Sequence, residues 1–238
     1  RLTKANLRDS SGRDDIGYGA ASSDHLDFGG GSYAITPQTT VSYYYAKLQD
    51  IYRQQFVGLI DTRPLAEGVS LRSDLRYFDS RNDGAERAGN IDNRNFNAMF
   101  TLGVRAHKFT ATWQQMSGDS AFPFVNGGDP FTVNLVTYNT YTRADEDSWQ
   151  LRYDYDFATL GVPGLSLTAR YVRGTDIDGT RAGGAYSYFN GTEDGRHWER
   201  NLWLKYVLQS GPAKDLSFNL GDTDFSAQVN EIAAMDPQ

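Results

Sequence analysis

The 238-residue sequence has no cysteine, and its basic residues, 23 Lys and Arg against 30 Asp and Glu, form no cluster. Without cysteine, disulfide bonds and Cys-based metal sites are excluded. Because nucleic-acid binding requires clustered Lys and Arg that neutralise phosphates, the net charge of −7 argues against a nucleic-acid partner. No apolar run approaches the roughly 20 residues of a membrane-spanning helix. If the chain enters a membrane, it enters as strands.

The sequence also lacks the spacings of common catalytic and metal sites. The three histidines, His25, His107 and His197, are far apart and show no H-x-x-x-H or H-x-H pattern. Residues 176–180 (DIDGT) resemble the start of a calcium loop but lack its remaining acids and its closing Glu. No G-x-S-x-G elbow is present. We therefore predict no metal, no cofactor and no enzymatic activity, which disfavours a barrel enzyme such as an outer-membrane phospholipase or protease.

What the sequence does contain is aromatic residues and a two-residue alternation. Its 15 Tyr, 13 Phe and 4 Trp suit aromatic girdles at two membrane interfaces. In 148–157 every second residue is apolar, and after a Pro-Gly turn the alternation resumes in 165–171. A period of two predicts strands with one apolar and one polar face. About ten strands of near ten residues, tilted by about 45°, each span roughly 23 Å, the height of an outer-membrane apolar band.

The predicted fold class is therefore all-β, an antiparallel up-and-down transmembrane β-barrel in which short turns alternate with long loops. The expected strands are 26–35, 40–48, 51–60, 69–78, 93–104, 108–116, 132–141, 148–157, 165–171 and 201–209. Residues 1–23 are expected to form a polar, disordered start, residues 24–218 the strands, and residues 219–238 a divergent tail. The alternative is a soluble secreted β-sandwich or adhesin-like binding module, with the aromatic residues packed between two sheets.

Five stretches resemble the OprD family of substrate-specific outer-membrane porins. They are 48–54 (LQDIYRQ), 153–164 (YDYDFATLGVPG), 171–180 (YVRGTDIDGT), 193–197 (EDGRH) and 205–218 (KYVLQSGPAKDLSF). The resemblance implies a barrel of about eighteen strands in the bacterial outer membrane, in contact with its lipid, as a monomer or loose trimer. It covers about the C-terminal half of such a protein, so about ten strands and an open or incomplete barrel are expected.

The same resemblance implies a ladder of basic residues along the lumen and selective passive uptake of small carboxylate-bearing or amino-acid-like solutes. The alternation places five basic residues on the inward-facing register: Arg72, Arg76, Arg152, Arg170 and Lys205. A row of fixed cations passes a carboxylate from site to site when no single site binds too tightly. The alternative is that inward Arg–Asp pairs only stiffen the wall.

Asp129, Tyr138 and Thr140 are candidates for substrate contact at the constriction. They lie in or just after a Gly-Gly-Asp loop that in the resembled family approaches the narrowest point. A carboxylate and a phenol there would bind the cationic end of an amphoteric solute, although Thr140 stands where the family pattern has a second acid. The alternative is an exposed loop acid and an interfacial tyrosine.

Overall fold

The computed structural model describes residues 23, 25–125, 129–136, 138–181 and 193–228. Its strands form a single ten-stranded antiparallel sheet in which each strand pairs with its sequence neighbours. The strands are β1 (Leu26–Ala34), β2 (Thr39–Leu48), β3 (Tyr52–Ala66), β4 (Val69–Asn82), β5 (Asp92–Val104), β6 (His107–Ser117), β7 (Asp147–Asp156), β8 (Leu165–Ile177), β9 (Gly195–Val207) and β10 (Ser217–Gln228). The prediction of about ten up-and-down antiparallel strands is confirmed. Within the described residues β1 and β10 do not pair, so the sheet is open.

The two ends of the sheet differ in the length of their connections. One end, the short-turn end, carries the links 35–38, 67–68, 105–106, 157–164 and 208–216. The opposite end, the long-loop end, carries 49–51 and 83–91 together with the two longest connections, 118–146 and 178–194. In outer-membrane barrels the short turns are periplasmic and the long loops extracellular. In a membrane barrel the long-loop end would therefore be the extracellular end.

One short helical turn interrupts the connection between β7 and β8. The 3-10 helix Phe157–Leu160 begins at Asp156, whose Oδ1 accepts a hydrogen bond from the Ala158 N–H at 2.9 Å. It ends at Gly161, whose φ of 82° lies in the left-handed region that glycine adopts without strain. Among the described residues, no helix has the length and apolar character needed to cross a membrane.

The two faces of the sheet differ in polarity, as the alternation predicts. The outer face presents large apolar side chains to the surroundings, with Leu151 58%, Phe109 48% and Trp149 40% exposed. The inner face is the one that segment 118–146 covers, and it is lined mainly by amides, hydroxyls and charged groups. Because all described strands belong to one sheet, the alternative of a β-sandwich is wrong.

The apolar band on the outer face drifts from strand to strand. Its upper edge is marked on each strand by the first charged or amide outward residue above the apolar ones, on the side of the long-loop end. From β1 to β10 these edge residues are Asp27, Lys47, Gln55, Asp79, Arg94, Gln115, Asp147, Arg173, Arg200 and Asp222. From each strand to the next, the edge either stays at the paired position or moves two residues toward the short-turn end. It moves five times: from β2 to β3, from β5 to β6, from β7 to β8, from β8 to β9 and from β9 to β10.

This drift measures the tilt of the strands. A membrane requires a band of constant height, so a drift along the strands means that the strands are inclined to the membrane normal. The five steps correspond to about 33 Å along the strands, and the nine strand spacings to about 43 Å across them. Their ratio gives an inclination of roughly 37°, which lies in the range of about 35–45° found for membrane barrels.

The tilt explains why the sequence pattern does not predict the last strand. Strand β10 pairs with β9 over twelve successive positions, from Ser217 to Gln228, whereas the sequence predicts that the strands end at residue 218. Its outward residues include Asp222 and Asp224, which interrupt the apolar alternation. These acids lie above the band edge, because the edge is lowest at β10. The strand therefore continues although its apolar pattern stops.

Strand β3 extends beyond the expected strand 51–60. Strand β3 continues through Pro64 to Ala66, and the turn to β4 is made by Glu67 and Gly68. Proline lacks the N–H that a regular ladder uses and is tolerated at strand irregularities. The pairing of β3 with β4 shifts register between Pro64 and Ala66, and this irregularity accommodates the proline.

The buried apolar core sits on the inner face at the long-loop end. Phe78 of β4, Met116 of β6 and Phe122 of segment 118–146 are at most 4% exposed and pack together, with Phe56 of β3 against them. The rings of Phe78 and Phe122 meet edge to face with centroids 5.1 Å apart. This cluster fixes the beginning of the segment against the wall and directs the rest of it across the inner face.

Candidate functional site

The central part of segment 118–146 crosses the inner face perpendicular to the strands. We call residues 129–136 and 138–140 the strap. At one end, Phe131 packs its ring against Phe56 of β3, with centroids 5.6 Å apart. At the other end, the Tyr138 ring stacks on Phe225 of β10 at 4.1 Å. Between them the strap contacts β5, β6, β7 and β9 in order.

The backbone of the strap is held by side chains of the wall. The Val133 N–H donates to Asn97 Oδ1 at 3.1 Å, and the Asn134 N–H donates to Gln114 Oε1 at 3.2 Å. Asn134 also uses its own side chain, donating from Nδ2 to Ser148 Oγ at 2.9 Å and accepting from Thr112 Oγ1. Asn97 and Gln114 are fully buried. Polar groups of the wall thus satisfy amides that would otherwise be buried without partners.

At the β9 side a single carboxylate replaces these amide side chains. Glu199 Oε2 accepts the backbone N–H groups of Tyr138 and Asn139, each at 3.0 Å. Glu199 Oε1 accepts from Asn201 Nδ2 at 2.8 Å. Hydrogen bonds to an ionised acceptor are the stronger kind. This carboxylate is therefore the firmest attachment of the strap on its far side.

The strand predicted at 132–141 is wrong. The alternation of Thr132, Val133 and Asn134 has the period of a strand, but the described residues of this stretch (132–136 and 138–141) belong to no strand. Its N–H groups at 133, 134, 138 and 139 all donate to side chains of the wall. Because buried acceptors on β5, β6 and β9 provide these bonds, the chain lies across the sheet instead of joining it.

All five basic residues of the predicted ladder lie on the inner-face register. Three of them share one row of the sheet: Arg72 of β4, Arg152 of β7 and Arg170 of β8, linked through the pairs Arg72–Thr101, Thr101–Thr110, Thr110–Arg152 and Arg152–Arg170. Lys205 lies two rows, roughly 13 Å, closer to the short-turn end. The basic side chains are thus distributed along the wall between the strap and that end.

Arg152 and Arg170 lie directly opposite each other on neighbouring strands. Like charges in this arrangement destabilise a sheet, and each guanidinium is steadied by another group. Arg152 forms a two-pronged ion pair with Asp154, with Nε–Oδ2 at 2.8 Å and Nη2–Oδ1 at 2.7 Å. Arg170 donates from Nε to Asn201 Oδ1 at 2.8 Å and lies over the Trp203 ring at 4.8 Å. Two guanidinium groups are thus held side by side on the inner face.

Arg76 and Arg72 share one buried acid. Asp74, with only 2% of its side chain exposed, accepts from Arg76 Nε at 2.9 Å and from Arg72 Nη2 at 3.2 Å. Arg76 also donates from Nη1 to the Phe131 carbonyl oxygen at 2.8 Å and stacks over that ring at 4.0 Å. Arg76 therefore fastens the near end of the strap, whereas the Arg72 side chain is 42% exposed.

Lys108 belongs to the same basic set but was not among the residues predicted from the sequence. It lies one row below Arg152, opposite Asp154, on the inner-face register of β6. Neither Lys108 nor Lys205 has a recorded hydrogen bond or ion pair within the described part of the chain. The two-residue period alone assigns Lys108 to this face, because its neighbour Phe109 points outward. The signal was present in the sequence.

A cavity lies between the strap and the basic wall. It measures about 290 Å³ and is bounded on the strap side by Val133 and Leu135 and on the wall by Lys108, Arg152 and Arg170. The remaining lining includes Asp154 and residues of β5, β6 and β7. A space of this size with converging cations and an apolar roof suits a small anion with an apolar portion.

The three candidate contact residues lie on the strap but serve different local roles. Asp129 is exposed, and its Oδ1 accepts the Phe131 N–H at 2.7 Å. Tyr138 is 65% exposed and lies at the opposite side of the inner face, on β9 and β10. The Thr140 hydroxyl bonds to the Thr142 hydroxyl at 2.8 Å. The structure thus separates Asp129 from Tyr138 along the strap, and solute contact by all three stays a prediction.

After the strap, the chain is anchored by a buried polar cluster at the long-loop end. Glu146 Oε1 bonds to His197 Nε2, and Glu146 Oε2 accepts the Arg143 N–H at 2.9 Å. The Tyr141 ring packs on the His197 ring at 4.2 Å. Burial, reinforced by nearby glutamate charges, raises the pKa of the Tyr141 hydroxyl. Gly174 of β8 makes room for the pair, since a Cβ there would overlap both Glu146 and His197.

The acids of the DIDGT stretch accept hydrogen bonds from residues close to them in sequence. Asp178 Oδ1 accepts the backbone N–H of Thr180 at 2.9 Å and its hydroxyl at 2.6 Å. These hydrogen bonds lower the pKa of the Asp178 carboxyl. Among the described residues, no three acid, histidine or cysteine side chains converge as a metal site. The stretch is a capped turn at the end of β8.

Comparisons with known proteins agree with this architecture. A family model described as outer membrane porin, OprD family, matches residues 1–235. Porin D of Pseudomonas aeruginosa is 40% identical over 215 residues, covering 85% of this chain and 48% of that protein. Porin-like protein GalP of Pseudomonas putida is 36% identical over 200 residues, covering 83% of this chain and 45% of that protein. The chain thus spans about half the length of these curated relatives.

Solved structures give the same result. The crystal structure of Pseudomonas aeruginosa OpdL is 51% identical with a TM-score of 0.81, covering 88% of this chain and 56% of that chain. That of Pseudomonas aeruginosa OccK10 (OpdN) is 34% identical with a TM-score of 0.82, covering 91% and 58%. The described sheet therefore has the architecture of the wall of a porin barrel.

Proposed function

The chain belongs to the OprD family of outer-membrane porins, and we propose that its inner face lines a channel for selective passive uptake of small carboxylate-bearing or amino-acid-like solutes. Its location is the outer membrane of Gram-negative bacteria, as for its relatives. The work of such a channel is selection by aperture and by the charge of the lumen. Family membership supports the porin role, and the chemistry of the inner face supports the solute class.

The observation that carries the proposal is the direct opposition of Arg152 and Arg170 beside the cavity under the strap. Arg152 is paired with Asp154, which lines the same cavity, so Arg170 and Lys108 leave the lining with a net positive charge. A solute carboxylate entering the cavity relieves the repulsion between the two guanidinium groups and forms charge-assisted hydrogen bonds. Lys108 and Lys205, closer to the short-turn end, would receive the carboxylate next, and Arg72 and Arg76 would guide it beside the strap.

The test uses the full-length channel in planar bilayers. We expect Arg152→Gln and Arg170→Gln each to weaken block of the current by a small monocarboxylate by about 1.5–3 kcal/mol, roughly ten- to a hundredfold. The matched control is Arg63→Gln, because Arg63 lies on the outer face of β3 and pairs with Asp61. Equal block in all four proteins would overturn the proposal of a carboxylate path while leaving the porin role intact.

We also propose that Asp129 contacts the cationic end of amphoteric solutes, and that Tyr138 and Thr140, farther along the strap, contact the same solutes separately. The side chains of Asp129 and Tyr138 are exposed on the strap. Asp129→Asn keeps the oxygen that accepts the Phe131 N–H but removes the charge. We expect it to slow uptake of an amino acid into liposomes about threefold or more, without changing uptake of the matching carboxylic acid that lacks the amine. Equal slowing of both solutes would refute the contact.

A further inference from the structure

The outer face carries a cluster of arginines that the channel does not use. Arg173 of β8 and Arg200 of β9 mark the upper edge of the apolar band on their strands, and Arg196 lies outward on β9, farther toward the long-loop end. Trp198 lies between the two arginines of β9 and pairs directly with Arg173. Three guanidinium groups therefore surround one tryptophan at the level where lipid acyl chains give way to headgroups.

Aromatic side chains complete this surface, which we call the arginine patch (Arg173, Arg196, Trp198, Arg200). Arg173 pairs with Trp198 on one side and Trp149 on the other. Tyr171, next outward on β8, packs against both tryptophans, with centroid distances of 6.1 Å and 5.4 Å. Aromatic rings of this kind sit at the membrane–water interface. The patch thus has an apolar floor directly beneath its charges.

Among the described residues, not every arginine of the patch has an acidic partner. Arg200 is paired with Asp224 at 2.9 Å and remains 63% exposed. Arg173 is exposed and has no recorded hydrogen bond or ion pair within the described residues. The contrast is Arg81, outward near the same edge on β4, which is bracketed by Asp79 and Asp92. An arginine at the boundary is therefore not by itself a binding site. The patch differs because the described residues provide no acidic partner for Arg173.

The patch also has room for a ligand. Arg173, Arg196, Trp198 and Tyr171 line a cavity of about 370 Å³. Arginine presents a planar fork of donors that matches phosphate oxygens, and basic pockets at the membrane boundary recognise lipid headgroups. We propose that the arginine patch binds the phosphate of a phosphorylated glycolipid of the outer leaflet, with the acyl chains lying on the apolar band below. This site is independent of the solute path.

The experiment measures lipid retained by the full-length porin in detergent, by native mass spectrometry. The probes are bisphosphorylated lipid A, lipid A from which the phosphates have been removed, and inorganic phosphate. We expect the native protein to retain bisphosphorylated lipid A at least about tenfold more tightly than the variant Arg173→Gln/Arg196→Gln/Arg200→Gln. The control Arg81→Gln should retain it like the native protein. Channel conductance of all variants in bilayers checks that they are folded.

Each other outcome overturns the proposal. Equal retention by the triple variant would show that the patch does not bind the lipid. Equal retention of dephosphorylated lipid A would mean that only the apolar band holds it. Displacement of the lipid by millimolar inorganic phosphate would identify a site for the free anion. A loss of retention in Arg81→Gln equal to that in the triple variant would indicate a general effect of surface charge.

Discussion

Glu199, buried in β9, accepts the backbone N–H of Tyr138 at 3.0 Å. The same oxygen accepts the next backbone N–H, of Asn139, at the same distance. One carboxylate of the wall therefore fixes the position of the strap at its far side, while Arg76 fixes the near side through the carbonyl of Phe131. The position of the strap on the inner face depends on these two attachments.

Glu199→Gln is expected to loosen the far side of the strap. Both carboxylate oxygens accept from N–H donors, so the NH2 group of glutamine would face a donor at one of them. The loss is about 1–3 kcal/mol of attachment. Single-channel recording should show a larger conductance with more frequent fluctuations. The exposed Glu193 offers the matched control, Glu193→Gln, and identical traces for the two variants would contradict the role of Glu199.

Asp74→Asn is expected to release the near side. The buried carboxylate holds Arg72 and Arg76 together, and its removal leaves two neighbouring cations without their shared partner. Breaking a buried ion pair costs about 3–5 kcal/mol, so the melting temperature should fall while the reversal potential in a salt gradient moves toward stronger anion preference. Asp79→Asn breaks the comparable Arg81–Asp79 pair on the outer face. A fall in stability no larger than in that control would count against the role of Asp74.

Gly174→Ala is expected to disrupt the anchor that comes after the strap. A methyl group there overlaps the Glu146 carboxylate and the His197 ring, and overpacking costs about 1–3 kcal/mol. Thermal unfolding detected by loss of the compact band on gels measures the effect. Gly31→Ala on β1 is the control, because a Cβ at Gly31 has nothing within 4 Å. A Gly174→Ala protein as stable as Gly31→Ala would show that the cluster tolerates displacement.

The buried hydroxyl of Tyr141 is expected to make the folded protein less stable at alkaline pH. Its native pKa is raised by burial, so the unfolded chain releases this proton at about pH 10 while the native protein retains it. The contribution is complete below about pH 10 and declines as the pH rises beyond it. The melting temperature of native protein should therefore fall more between about pH 9 and about pH 11 than that of Tyr141→Phe. Parallel curves for the two proteins would contradict a buried neutral phenol.

The two-residue period predicts much of the wall because a strand leaves each side chain only two directions. It assigns Arg152 and Arg170 to the inner face and Trp149 and Leu151 to the outer face without further information. The same rule assigns Lys108 of β6 to the inner face, because its neighbour Phe109 points outward. The wall is thus predictable wherever the apolar band crosses a strand.

The rule fails where other interactions decide. Residues 132–141 alternate as a strand does, but their N–H groups are taken by buried side chains such as Gln114 and Glu199, which a local pattern cannot reveal. At Asp222 and Asp224 the failure is the reverse, since the strand continues after the tilt has carried its outward residues above the band. Both errors arise because a local pattern contains neither the contacts between distant parts of the chain nor the inclination of the strands.

The attachment of the strap has an evolutionary consequence. The wall is held by backbone-to-backbone bonds, which survive almost any replacement of side chains. The strap is held by a handful of side chains, such as Asn97 and Gln114, so a single substitution can shift the strap while the hydrogen-bonded sheet keeps its form. Under the proposed function, what the channel admits can therefore change during evolution without a change of scaffold.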